Sequence, residues 1–168
     1  MSAEFKMTPE TMMALKDMLI QHVPQMRALG VEIINAAPSQ AWLRAPYDER
    51  FIGNAETGVI HGGVITTVLD NTCGMAVQLA MDEPQAIATL DLRIDYMKPA
   101  TPGLALTTHA HCYKVTRNIA FVRGTAYHTD IEDPIASCVG TFMIGANRTV
   151  PTSVAAAKAF MAKQKKEG

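Results

Sequence analysis

The chain has 168 residues, a formal net charge of -1 and 48% hydrophobic side chains. That is the length of one domain, with enough apolar material for a sizeable core. The near-neutral balance excludes a broad electrostatic footprint for nucleic acid or a membrane surface.

The stretch TPETMMALKDMLIQHVPQMRALG opens on Thr8-Pro9-Glu10, a cap residue with proline just inside a helix. Met12, Leu15, Leu19 and Val23 recur at helical spacing, which predicts an N-terminal helix over about 8–28, interrupted at Pro24 and ended by Gly30. VEIINAAP and QAWLRAPYD read as two strands joined at Pro38-Ser39, and ERFIGNAETG reads as loop. From Val64 to about Leu79 a helix is predicted, with Val64, Ile65, Val68, Leu69, Cys73, Met75, Ala76 and Val77 spread over most of its sides. A helix apolar nearly all round is a buried helix. The β-branched run VITTVL makes a strand the competing reading there.

Four strands follow. In TLDLRIDYMKP, Leu90, Leu92, Ile94 and Tyr96 alternate with Asp91, Arg93, Asp95 and Met97, the pattern of a half-buried strand. LALTTHAHCYKV, NIAFVRGTAYHTD and PIASCVGTFMIG complete the set, and the Ala-rich TSVAAAKAFMAKQKK predicts a helix over about 152–166. Consecutive strands with short connections imply an antiparallel sheet. The expectation is an α+β fold: a single domain over 1–168, with a core of about 30–146 and an antiparallel sheet wrapped around one buried helix.

Three cysteines, Cys73, Cys112 and Cys138, show no CxxC spacing and point to free thiols in a reducing compartment. No apolar run reaches the length of a membrane helix. The N-terminal MSAEFKMTPE has two acids and no apolar core, unlike a signal peptide. A cytoplasmic location is therefore expected. His109 and His111 share a strand face, and His128 and Asp130 lie further on, but no ligand set of ordinary metal spacing emerges and no metal is expected. GxSxG, GxGxxG and P-loop patterns are absent.

The chemistry concentrates in GNAETGVIHGGVITTVLDNTCGMAV. Asp70 is the single carboxylate in an uncharged run from Val59 to Ala80 that also holds His61. A carboxylate on a buried helix is costly unless paired, so Asp70 is either a core acid held by donors or a partly desolvated base or nucleophile. Gly62 and Gly63 allow close backbone approach. At a helix start, their unpaired N–H groups and the helix dipole would face a developing negative charge.

HGGVITTVLDNTCGMA resembles the signature of hotdog-fold acyl-CoA thioesterases of the PaaI-like, 4-hydroxybenzoyl-CoA thioesterase superfamily. There the HGG histidine precedes an acid by the spacing that separates His61 from Asp70. LDLRIDYMKPATPG and VTRNIAFVRGTAY are similar to later strands of that family, so the likeness covers roughly Val31 to Ile144. The resemblance implies a hotdog fold: a long helix in a curved antiparallel sheet. It implies a homodimer with shared active sites, and beyond that a dimer of dimers. It implies hydrolysis of an aromatic or medium-chain acyl-CoA, with no cofactor beyond the coenzyme A of the substrate. Gly63 would contact the carbonyl oxygen, Asp70 would attack or activate water, and His61 would place the loop. The family's assisting amide falls at Ala55 here, so Asn54 is the stand-in, and Thr89 is the strand hydroxyl that assists. Gly62, Arg93, Lys98, Arg117, Asn118 and Arg123 are the residues proposed to meet the coenzyme A portion. Rival readings are a hydratase of the same fold and a non-catalytic acyl-CoA binder.

Overall fold

The computed structural model describes residue 20 and residues 23–83 and 85–145. The predicted C-terminal helix, and the predicted N-terminal helix up to residue 19, lie outside the described residues. Within them α1 (Pro24–Ala28) places the proline in its first turn, where a missing N–H costs nothing.

Strands β1 (Glu32–Ala37) and β2 (Gln40–Ala45) form a hairpin. Ser39 turns it at φ 63°, and its N–H donates to the Leu79 carbonyl at 3.1 Å, one of the carbonyls that the central helix leaves unpaired at its end. The segment read as loop is more ordered than its composition suggests. It holds a single helical turn at Glu49–Phe51 and a short hairpin, β3 (Ile52–Asn54) with β4 (Val59–Ile60). Asn54 makes the turn itself, its side-chain oxygen accepting from the N–H groups of Glu56 at 2.9 Å and Thr57 at 3.3 Å.

The central helix α2 (Gly62–Gln78) follows. Its β-branched residues do not break it, because Ile65, Val68 and Thr72 are buried against the sheet; the threonine hydroxyls bond back to carbonyls one turn earlier, Thr66 to Gly62, Thr67 to Gly63 and Thr72 to Val68. Ile65, Val68, Leu69, Thr72, Cys73 and Ala76 form its buried face. The opposite face, through Gly63, Thr67, Asp70, Asn71, Gly74 and Gln78, is not buried, so the all-round burial expected of this helix is corrected to one side.

Four long strands complete the chain: β5 (Ile87–Tyr96), β6 (Leu106–Val115), β7 (Ile119–Tyr127) and β8 (Ala136–Ile144). The six-stranded sheet has the order β1-β2-β6-β7-β8-β5, and every pairing is antiparallel. Helix α2 contacts β2, β5, β6, β7 and β8, which is the hotdog architecture.

One strand departs from its predicted alternation. In β5, Thr89 pairs with Phe142 but Asp91 pairs with Thr141, so Leu90 is an extra residue. A bulge of this kind swaps the faces of the residues on either side. Leu92 and Ile94 still pack on the core, but Leu90 is turned out, 52% exposed, and Thr89 takes the helix-facing place. The three cysteines are free and buried. Cys73 and Cys138 bring their sulfurs to 3.7 Å, and the Cys138 contact together with burial pushes the Cys73 thiol up. No described helix is long and apolar enough to cross a membrane.

Candidate active site

Two clusters on one helix carry the chemistry. The first is the start of α2. His61 is its N-cap, extended at φ -61° and ψ 132°, and its Nδ1 accepts the Gly63 N–H at 2.9 Å. That contact fixes the ring as the tautomer with hydrogen on Nε2. The Val64 N–H donates to the His61 carbonyl at 2.9 Å. Among the described residues, Gly62 is left as the first-turn amide without a partner. The Gly63 amide, expected at the carbonyl, is occupied here by its own cap, and the open first-turn donor is Gly62.

Tyr96 braces this end. Its hydroxyl lies 2.8 Å from the Gly62 carbonyl oxygen and 2.7 Å from the Thr66 hydroxyl. A Cβ on Gly62 would sit in ordinary contact with that hydroxyl, at 3.4 Å. A cleft of about 430 Å³ on one side of the helix start is lined by Arg50, Phe51, His61, Gly63 and Thr67. A second, of about 320 Å³, lies against Gly62, Tyr96, Met97 and Lys98.

The second cluster is centred on Asp70. Its Oδ1 accepts the Thr89 hydroxyl at 2.9 Å. The carboxylate is partly exposed and opens on a cavity of about 340 Å³ between α2, α1 and the sheet. Thr89 reaches Asp70 because of the Leu90 bulge, which no periodicity in the sequence announces.

The other expected site residues scatter. Asn54 uses its side-chain oxygen in its own turn, and among the described residues no hydrogen bond ties it to the helix start or to Asp70. Arg93 points away from the helix and pairs with Asp95 at 3.0 Å. Arg123 lies on that same outer face, its guanidinium 5.7 Å from the centre of the Tyr113 ring. Neither joins the helix start. Lys98 does line the cleft beside Gly62, although it is ion-paired with Asp133. Arg117 and Asn118 are exposed at the β6–β7 turn, where the Asn118 carbonyl accepts the Ile144 N–H at 2.7 Å. Tyr96 and Arg50 were not picked out by sequence. A tyrosine ending a strand just before Lys-Pro was the available signal for the first. Arg50 has no signal beyond its charge, and it is held by Asp48.

The histidine pair binds elsewhere. His109 stacks on Trp42 with ring centres 4.3 Å apart, and its Nε2 lies 3.0 Å from the Gln40 side-chain oxygen. Burial, then His111 and Arg123, holds its pKa below the ordinary value of 6.5. His128 is used at both nitrogens, by the Thr101 N–H and the Ala105 carbonyl, each at 2.8 Å. Among the described residues no group of three His, Cys, Asp or Glu is placed to hold a metal ion.

Comparison with known proteins agrees with this fold. The family model described as the thioesterase superfamily matches residues 57–135, a span that holds His61, Asp70, Thr89 and Tyr96. The medium/long-chain acyl-CoA thioesterase YigI of Escherichia coli is 28% identical over 142 residues, 77% of this chain and 90% of that protein. Human acyl-coenzyme A thioesterase 13 is 32% identical over 96 residues, 56% of this chain and 66% of its own length. A crystal structure of a Pseudomonas aeruginosa protein is 42% identical, with a TM-score of 0.70, covering 79% of this chain and 97% of that one. The Escherichia coli PaaI structure shares the fold at 18% identity and a TM-score of 0.66, covering 74% and 86%.

Proposed function

Since the chain belongs to the thioesterase superfamily and is a thioester hydrolase, we propose that its substrate is an acyl-CoA, cleaved to the free acid and coenzyme A at a site shared by two copies of the chain. The observation that carries the reading is the Asp70 carboxylate, held at one oxygen by Thr89 and open at the other to a ligand-sized cavity. A carboxylate so placed acts on a thioester carbonyl in one of two ways. It adds to the carbon itself, or it takes a proton from a water that adds; the carbon–sulfur bond then breaks and the thiol leaves.

Negative charge grows on the carbonyl oxygen as either attack proceeds, and the open Gly62 N–H at the positive end of α2 answers it. That donor cannot serve the Asp70 of its own chain. The two are eight residues apart on one helix, a rise of roughly 12 Å, whereas a donor and a nucleophile at one carbonyl must each be about 3 Å from it. A second copy supplies the missing half.

Strand β5 supports how. Its outer edge has no partner among the described residues. Thr89 near its start touches Asp70, and Tyr96 at its end touches Gly62. Two β5 strands paired antiparallel about a two-fold axis would set the Asp70 end of each copy against the Gly62 end of the other. Lys98 beside Gly62, with Arg117 and Asn118 at their exposed turn, are the groups here that suit the phosphates of coenzyme A.

Thiol release from a panel of acyl-CoAs tests the reading, with wild type beside Asp70→Ala. Turnover that is lost in a still-folded Asp70→Ala variant is expected. Binding of acyl-CoA with no turnover by wild type would replace the reading with an acyl-CoA carrier, and addition of water to an enoyl-CoA without thiol release would replace it with a hydratase.

A further inference from the structure

One turn beyond Asp70 the helix carries Gly74, and glycine in a helix interior weakens the helix. Two usual reasons for such a glycine do not apply. Its φ is not in the left-handed region, and no backbone crowds it. A Cβ there would lie 3.6 Å from both the Ile87 Cδ1 and the Phe142 Cε1, which is ordinary contact. A methyl group would therefore fill the gap between the helix and the side chains of β5 and β8. The gap is one carbon atom deep, and the missing side chain is what keeps it open.

That gap belongs to the cavity at Asp70. Its floor runs along α2 past Asp70, Gly74 and Gln78, and its walls include Met26, Ile87 and Phe142. The end at Asp70 and Thr89 is polar, and the middle is apolar. At the far end lies Gln78, whose side chain donates to the Gln85 carbonyl at 2.7 Å and accepts the Gln85 N–H at 3.3 Å. Both halves of that amide are engaged with Gln85, so it offers a chain little polar competition.

We propose that this cavity takes the acyl chain of the substrate as an unbranched aliphatic chain of medium length, and that Gly74 sets its bore. The inference rests on the acyl-CoA reading above and adds the class of acyl group. The volume, about 340 Å³, is at the lower end of the ~300–1,000 Å³ of small-molecule sites. From Asp70 to Gln78 the helix rises roughly 12 Å. A zig-zag chain with bonds of ~1.5 Å advances roughly 1.25 Å per carbon, so the run holds roughly nine carbons. The slot at Gly74 passes such a chain and rejects a branch.

The test is Gly74→Ala, which fills the slot and favours the helix, so loss of fold is not the concern. Two readouts are taken on wild type and variant. The first is kcat/KM for straight-chain acyl-CoAs from acetyl to palmitoyl, with a branched and an aromatic acyl-CoA included. The second is calorimetric affinity for the straight-chain carboxylic acids of the same lengths, which needs no catalysis. In wild type both should rise by up to about four-fold per methylene and level off near nonanoyl. Gly74→Ala should keep butyryl turnover and lose at least ten-fold on octanoyl and decanoyl. Ile87→Ala, which widens the slot from the strand side, should admit the branched chain.

A variant profile parallel to wild type in both readouts, or a wild-type preference for the branched or aromatic group, overturns the proposal. Should no thioester be cleaved while the acids still show a length dependence that Gly74→Ala shortens, the hydrolase reading fails and the chain pocket stands. Should thioesters be cleaved with a length profile untouched by Gly74→Ala, the hydrolase stands and the chain pocket fails.

Discussion

The two halves of the central helix are built from different materials. The first turn is a donor site: two glycines, a histidine ring on one amide, a tyrosine hydroxyl bracing a carbonyl, and one amide, that of Gly62, left open. Two turns later the helix offers an acceptor instead: a carboxylate steadied by one hydroxyl at the mouth of an apolar cavity. A thioester hydrolase needs both, one to receive charge on oxygen and one to deliver the attack. A rigid helix holds them too far apart to meet on one substrate. What the contrast teaches, on the proposed reading, is that each chain carries the complementary halves of two sites, with β5 as the element that touches both.

The largest expected effect breaks the acceptor end. Asp70→Ala should lower kcat by about 10²–10⁴-fold, the range for losing a positioned base, with little change in melting temperature because the carboxylate is not part of the core. Gly62→Pro breaks the donor end and disturbs little else. Proline suits the first helical position, and the preceding His61 is already extended at ψ 132°. Only the N–H is lost, and kcat should fall by about 10²–10³-fold. Mixing the two inactive variants, unfolded and refolded together, sharpens the comparison. Half of the dimers formed would be hybrids with one intact site each, so activity should return to about a quarter of wild type. No return of activity would mean that both halves act within one copy.

A smaller effect separates holding a carboxylate from supplying it. Thr89→Val removes the 2.9 Å hydrogen bond to Asp70. It should cost about ten-fold in kcat, the worth of a hydrogen bond to a charged group, and Thr89→Ser should restore most of it. Recovery in Thr89→Ser is the readout that a merely structural role for the threonine would not give. At the other end, His61→Ala should leave the Gly63 amide uncapped and lower stability by about 1 kcal/mol, measured by denaturant unfolding.

These sites were legible in the sequence to unequal degrees, for physical reasons. Asp70 stood out because one acid in an uncharged run is improbable without a purpose. The helix start stood out because glycine pairs are costly there. Which of the two amides is open could not be read, since it depends on where the His61 ring turns. Thr89 was named by resemblance, but the alternation of Leu90, Leu92 and Ile94 pointed it away from the helix. Only the bulge at Leu90 reverses that, and a one-residue irregularity leaves no trace in a period-two pattern. Asn54 illustrates the converse: a loop asparagine has a local use in its own turn, and that use won. Two of the cations lie away from the helix start for a similar reason. Arg93 and Arg123 sit at strand positions whose face is set by neighbours, and their charge says nothing about which face that is.

The smallest effect lies outside both halves and marks where the comparison stops. His109 is on β6, stacked on Trp42 and half-buried, and burial with the nearby His111 and Arg123 disfavours its charged form. The folded chain therefore binds this proton less readily than the unfolded chain. Stability is full above the ordinary histidine value of 6.5 and declines as pH falls below it. His109→Gln cannot gain the proton, so its melting temperature should fall less than that of wild type from neutral to mildly acidic pH. The length profile and the Asp70 dependence of activity should be the same in both proteins. A His109→Gln variant that instead altered turnover at neutral pH would place β6 in the site, and the division of labour along α2 would no longer account for the activity alone.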